Sequence, residues 1–326
     1  MTPFLSACLI VKNESRDLPR CLLSMQHVVD EIVVVDTGSH DGTPDVARRL
    51  GANVVERPWN HDFADARNAA LAVARGRWVL SVDADEELDP PSARRLRDLL
   101  GNPQADGFRL IQRNLQPAGS LLRWRDARLT RLFRRDPQYR WEGRIHEQMG
   151  PSIQRAGGTV VDTDLVLIHY GYTLPDAQGA SRAERNLALL DAMARVHPDD
   201  AYVQFQLGAT WMACQRPHEA RAALRLALRI DTGELGPEGR AECELKLAQL
   251  ALGSSDDATA LAHAENSLKR SPDDTLALYI AGVAAFGLGR IHQAEDALAR
   301  VLTREDITDR QRRDIESLLH ACRTRV

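Results

Sequence analysis

The chain has 326 residues, 44% hydrophobic and 27% charged, enough for two domains of ordinary size. Its 42 Lys and Arg against 46 Asp and Glu leave a net charge of −4 with no long basic run, which argues against a general nucleic-acid binder. The apolar run Leu5–Val11 is too short to span a bilayer and lacks the basic flank of a signal peptide, and five scattered cysteines without a CxxC pair indicate reduced thiols in the cytoplasm and no structural zinc.

Residues 1–175 alternate strand and helix signals. Ser6–Val11 reads as a buried strand, followed by a helix with Pro19 near its first turn and an apolar face at Leu18, Leu22 and Met25. Glu31–Asp36 is the next strand. A helix then starts at Thr43, with Pro44 at its first position and a stop at Gly51. Ala52–Glu56 is a short strand. A helix capped by Asp62 runs toward Gly76, and Trp78–Val82 is the fourth strand. Strands separated by helices imply a mostly parallel sheet covered on both faces, and such sheets bind ligands outside the carboxyl ends of their strands. The polar residues fall at those ends: Lys12, Asn13 and Glu14 after strand one, Asp36 and "TGSHDGT" after strand two, "DAD" after strand four.

"WVLSVDADEEL" drives a buried strand into four carboxylates, so either the cluster faces water or something positive sits among them. Asp83 and Asp85 alternate on one side of an extended chain, and hard divalent cations take such oxygens together with substrate phosphates. Glu86 and Glu87 read instead as a solvated cap of the helix that follows. Further on, Leu129–Phe133 alternates like a strand, and "DLVLIHYGY" is a second apolar strand ending in His169, either a metal ligand or a half-buried imidazole on a carbonyl. Trp141 either stacks on a substrate or sits in the core. Arg131, Arg134 and Arg135 either meet phosphate or, for at least two of them, lie solvated on an edge strand.

Taken in order, "CLIVKNES", "DEIVVVDTGSHDGT", "DFADARNAAL" and "WVLSVDADEEL" resemble the family 2 glycosyltransferases of the GT-A fold, over residues 4–172. "RLFRRDPQYRWEGRIHE" and "LIHYGY" are similar to the branch containing lipopolysaccharide-core glucosyltransferases and bacteriocin peptide S-glycosyltransferases. The resemblance implies a donor pocket for a UDP-sugar lined by Val11, Lys12, Asn13, Glu14, Asp36, Arg67, Asn68, Asp83 and Ala84. It implies Mn2+ or Mg2+ on Asp85, with His169 as a further ligand, to neutralise the departing diphosphate. Glu147 is the expected base, with His146 beside it as helper or ligand, and Trp141 the expected acceptor contact. Family members commonly carry a Glu-Asp pair where this chain has His-Glu, which loosens that assignment.

Residues 176–326 lack strand signals and are rich in Ala and Leu. Leu207, Gly208, Trp211, Ala220, Leu224 and Ala227 fall at tetratricopeptide spacing. Gly208 and Ala220 recur as Gly282 and Ala294 at an equal step, with Ala248 and Ala260 between them in a degenerate middle copy. Three copies, with helices at Ser181–Val196 and Thr308–Arg323, suffice for a small solenoid. The expectation is therefore an α/β GT-A domain plus an all-α tetratricopeptide-like array. Together they form an inverting sugar transferase acting on a hydroxyl or thiol of a protein or peptide. A glycan such as lipopolysaccharide is the alternative acceptor, and an inactive nucleotide-sugar-binding module with a protein partner on its repeats the alternative function.

Overall fold

The computed structural model describes residues 3–101, 103, 105–173 and 176–324. The α/β part contains, in order, β1 (Leu5–Val11), α1 (Leu18–Met25), β2 (Glu31–Asp36), α2 (Thr43–Arg49), β3 (Asn53–Glu56), α3 (Phe63–Val73), β4 (Trp78–Ser81), β5 (Glu86–Leu88), α4 (Pro90–Gly101), β6 (Gly107–Leu115), β7 (Trp124–Arg134), α5 (Gly150–Arg155) and β8 (Val160–His169). Among the described residues the α-helices that follow are α6 (Asp176–Val196), α7 (Ala201–Ala213), α8 (Pro217–Ile230), α9 (Gly236–Leu252), α10 (Asp257–Leu268), α11 (Thr275–Gly287), α12 (Ile291–Leu302) and α13 (Asp309–Thr324). The chain forms two compact units, Met1–Leu115 with Arg125–Thr173, and Gln116–Trp124 with Leu174–Val326.

The first unit is one eight-stranded sheet in the order β3-β2-β1-β4-β7-β6-β8-β5. β1 pairs in parallel with β2 and β4, and β2 with β3, so Val11, Asp36 and Glu56 end level with one another. β1 and β2 are almost continuously buried, as parallel strands with both faces covered must be. The far half of the sheet is mixed: β4 meets β7 antiparallel, β8 runs parallel to β6, and β5 lies antiparallel on β8. The helices start where the sequence places its signals. Pro19 and Pro44 sit in the first turns of α1 and α2, and the Asp62 side chain caps α3 by accepting from Asp65 N at 2.9 Å.

Two expectations change. α3 ends at Val73 rather than at Gly76. Gly76 serves a different purpose, since a Cβ there would lie 2.5 Å from Ser6 Oγ and 2.8 Å from Trp78 O, so only glycine lets the chain enter β4. Glu86 and Glu87 belong to a strand, not to a solvated cap, and Glu86 is fully buried.

The second unit is built from helical hairpins α7/α8, α9/α10 and α11/α12, flanked by α6 and α13. Asp200, Asp256 and Asp274 cap the first helix of one pair, the second of the next and the first of the last, each accepting a backbone N–H three residues on. Ala220, Ala260 and Ala294 are fully buried, as their recurrence requires. Gly208 and Gly282 pack so closely that a Cβ would meet Leu224 Cγ at 2.5 Å and Leu298 Cγ at 2.6 Å. The segment between β6 and β7 belongs to this unit: Leu122 is buried among Leu278, Leu298, Val301 and Ile315, and bridges to Ile307. Among the described residues no helix is long and apolar enough to cross a membrane.

Candidate active site

The loops after β1 and β2 are stitched together by short polar side chains. Asn13 takes a left-handed φ of 57°, donates its N–H to Ser39 Oγ at 2.8 Å and accepts from His40 N at 2.8 Å. Glu14 N donates to Thr43 Oγ1 at 2.8 Å, and Ser15 N donates to Asp41 at 3.1 Å. Burial opposes ionisation of Asp41, but its bonds from Thr43 and Ser15 prevail and hold its pKa at about 2. Asp36, expected on the nucleotide, first organises its own loop: it accepts from Gly38 N at 3.1 Å, Ser39 N at 3.0 Å and Ser39 Oγ at 2.5 Å. Val11 and Ala84 are buried, whereas Lys12 and Asn13 stand exposed at the rim.

Two buried arginines answer the question posed by "DADEE". Arg67, on α3, reaches Asp83 at 2.6 Å, Ser81 Oγ at 2.9 Å and Glu147 through Nε. Arg131, on β7, reaches Asp83 at 2.7 Å and Glu86 at 3.5 Å. Glu86 also accepts from Asp83 N at 2.8 Å and Gln112 Nε2 at 2.5 Å. Burial raises the Asp83 pKa, but Arg131 and Arg67 overcome it and drive the carboxyl far below its usual range. Burial, with the Asp83 charge, raises Glu86 despite Arg131.

Arg67 is therefore the hub of the site floor, every nitrogen engaged, rather than an open phosphate contact. Arg131 is its buried counterpart and not a solvated edge residue. Asn68 is also placed differently from expectation: its amide donates to Trp141 O at 3.0 Å and accepts from Trp141 N at 2.9 Å, clamping that backbone rather than facing a nucleotide. The Trp141 ring is core, packed edge-on against Phe133 at 5.9 Å with Arg67 over it at 5.0 Å. It offers no face to an acceptor.

Asp85 and His169 come together because Glu86 lies opposite His169 in the β5–β8 ladder. His169 Nε2 stands 3.4 Å from Asp85 Oδ2, and Asn114, opposite His169 in the β6–β8 ladder, holds Nδ1 at 2.8 Å. Asn114 Nδ2 donates to Gln112 O at 3.2 Å and Arg125 O at 3.0 Å, so its Oδ1 faces the imidazole and Nδ1 carries the proton. With Nδ1 held by Asn114, Nε2 faces the Asp85 carboxylate, and a positive centre between them, a proton or a cation, completes the contact. Gly171 leaves that spot open: a Cβ there would lie 2.5 Å from Nε2 and 2.7 Å from Oδ2. Burial lowers the His169 pKa, and Asp85 with the neighbouring carboxylates more than restores it, for a net rise. These two donors fit a divalent cation. Among the described residues no group of three or more His, Cys, Asp or Glu surrounds one position, so the remaining ligands would come from substrate and water.

The turn carrying His146 and Glu147 is closed by the pair Glu142 N to Gln148 O at 3.1 Å and Gln148 N to Glu142 O at 2.9 Å. Gly143 at φ 98° and His146 at φ 53° make the bend. Arg67 holds Glu147 Oε1, and no hydrogen bond to Oε2 occurs among the described residues. His146 Nε2 is buried without a partner, and burial keeps the imidazole below its ordinary pKa despite Glu147. Gln112 and Asn114 are functional neighbours that the sequence reading does not single out, and Glu86 and Arg131, read there as a solvated cap and as a phosphate contact or solvated edge residue, join them. The signal for the burial of Arg131 is a charge at a core-facing position of an alternating strand.

Residues 6–153 match the glycosyl transferase family 2 model. A TPR repeat-containing protein of Synechococcus elongatus is 39% identical over 62% of this chain and 51% of its own length. An uncharacterized glycosyltransferase of Rickettsia conorii is 34% identical over 34% of this chain and 39% of its own. Glycosyltransferase SunS of Bacillus subtilis is 26% identical over 67% and 52%. The chain thus spans about half or less of the length of these curated relatives.

Proposed function

We propose that this chain, whose first unit is a family 2 glycosyl transferase domain, moves a sugar from a UDP-sugar to a hydroxyl or thiol on a protein or peptide, in the cytoplasm and with inversion at the anomeric carbon. The observation that carries the reading is the Asp85–Asn114–His169 arrangement at the carboxyl end of β4, a two-donor seat with its imidazole tautomer fixed. A bound Mn2+ or Mg2+ would neutralise the charge that builds on the departing diphosphate.

The chain's own groups supply the rest. Lys12 and Asn13 at the rim, with the Asp36 loop, receive the nucleoside. Asp83 is kept ionised by Arg67 and Arg131, one on each oxygen, and so fixes the two guanidiniums in the floor beneath the sugar. Glu147 is held through Oε1 by Arg67, which leaves Oε2 to take the proton from the attacking acceptor. His146 stands next to it as a neutral hydrogen-bonding group.

The test is a thermal-shift panel of UDP, GDP, dTDP and CMP with and without Mn2+. A ligand that binds only the folded state raises the melting temperature with its concentration. Stabilisation by UDP that needs Mn2+ and vanishes in Asp85→Ala is the expected result. Equal response to every nucleotide, or none to any, overturns the donor assignment.

A further inference from the structure

The loop joining β3 to α3 carries an aromatic cluster that no step above uses. It is pinned at both ends and in the middle. Arg57 N donates to Asp36 O at 2.9 Å, and Phe63 N donates to Arg144 O at 2.9 Å. Asp65 takes Arg57 through both oxygens at 2.8 Å and Asn60 at 2.8 Å. One anchor is the residue that ends β2, and the other lies in the turn that carries Glu147.

Between the anchors His61 adopts φ 63°, a left-handed conformation that an ordinary loop residue avoids. Trp59 is half-buried, its ring 4.7 Å from Phe63 edge-on and 6.1 Å from His61. Phe63 and Arg67 lie one turn apart on the same face of α3, and Arg67 is the hub of the site floor. The cluster therefore stands on the same wall as the site, on the β2–β3 side. Asp85 and His169 stand beyond β4, toward the opposite edge of the sheet.

A donor whose diphosphate lies at Asp85 directs its nucleoside toward the loops after β1, β2 and β3. A rigidly presented indole at that end suits a flat ring with an apolar face. We propose that Trp59 is the aromatic platform on which the donor's nucleobase stacks, with Phe63 and His61 fixing the indole. The inference rests on the nucleotide-sugar reading of the site and names a residue for its base-binding end.

The experiment is a titration of the full chain with UDP in the presence of Mn2+, followed by tryptophan emission and by calorimetry, on wild type, Trp59→Phe and Trp59→Ala. UDP should quench emission in the wild type. Trp59→Phe should remove most of that quench and change the affinity less than about 3-fold, since a smaller ring still stacks. Trp59→Ala should weaken UDP by about 10-fold or more while binding of inorganic pyrophosphate with Mn2+ stays unchanged. UDP affinity in Trp59→Ala equal to wild type, a quench that persists in Trp59→Phe, or an equal loss for pyrophosphate overturns the assignment and leaves the nucleotide site standing. Failure of the wild-type chain to bind UDP at all removes the nucleotide-sugar reading, and the role of Trp59 with it.

Discussion

The carboxyl edge of the sheet and the helical array solve packing in opposite ways. In the array, neighbours in space are neighbours in the repeat: Gly208 lies against Leu224 and Gly282 against Leu298. Ala248 and Ala264, at the same spacing, are both fully buried in the middle copy. At the sheet edge the decisive contacts join residues far apart in the chain, Arg67 with Glu147 and Arg131 with Asp83. Small apolar groups fit by size and tolerate exchange with a compensating neighbour. Buried charges fit only as a complete set, because each one left alone is uncompensated in a poor dielectric. The two units should therefore fail differently under mutation.

The largest effect should come from Arg67→Met. It strands Glu147 and leaves Asp83 to Arg131 alone, and breaking a buried ion pair from one side costs about 3–5 kcal/mol. Urea unfolding should show that loss, and turnover should disappear with it. Arg67→Lys should rescue little, because a point charge cannot reach Ser81, Asp83 and Glu147 at once as the guanidinium fork does. Near-wild-type stability of Arg67→Met would mean that water already solvates the cluster.

The array makes the opposite prediction. Leu298→Ala should cost about 2–5 kcal/mol as a cavity. Gly282→Ala forces a Cβ against Leu298, an overpacking of about 1–3 kcal/mol partly offset by about 1 kcal/mol of helix propensity. Combined, the two changes recreate the Ala–Ala pair of the middle copy, so the double variant should lose less than the sum by about 0.5–3 kcal/mol. Strict additivity in that cycle would show that the middle pair packs by a different rule.

The same contrast decides what can be read from the sequence. The repeats are legible because their information is local: a glycine, an alanine and a leucine recurring at fixed intervals identify the helix pairs. β1 to β4 and their helices are legible for the same reason, through apolar runs, prolines at helix starts and the Asp62 cap. β6 is not, because its residues "GFRLIQRNL" mix charge with apolar positions and hide a strand whose arginines pair with acids on its neighbours. Asn114, which orients His169, lies on that strand. Glu86 reads as surface because nothing local announces that Gln112 and Arg131 will enclose it. The motifs point Asn68 and Trp141 at ligands, yet the two residues serve each other. A motif marks a position as important without saying whether it touches the ligand or the backbone that holds the site.

Asn114 sharpens the comparison at the next scale down. It touches no proposed ligand atom and meets the proposed site through the His169 ring that it holds. Outer partners of this kind typically govern about 10–100-fold in metal affinity. Asn114→Ala should weaken Mn2+ binding, measured by the metal's effect on UDP-dependent melting, by about that factor, with Asp85→Ala weaker still. Unchanged affinity would mean that His169 is no ligand.

His146 should give the smallest effect, and it is readable through pH. Its Nε2 is buried without a partner, and burial holds the folded-state pKa below the ordinary value of about 6.5. The unfolded chain therefore binds the proton first as pH falls. The stability this group contributes is present above about pH 6.5 and is lost as pH drops below it, each tenfold difference in proton affinity between the folded and unfolded chain being worth about 1.4 kcal/mol. His169 contributes with the opposite sign, because its folded-state pKa is raised: its stabilisation is present below about 6.5 and fades as pH climbs through the raised value. Net wild-type stability alone does not separate the two. The difference between wild type and His146→Gln does, because His169 is common to both. Urea midpoints taken from about pH 8 to pH 5 should fall more steeply for wild type than for the variant. Parallel curves would mean that the imidazole is hydrated, and that the left-handed turn at His146 serves the backbone path to Glu147 rather than the ring.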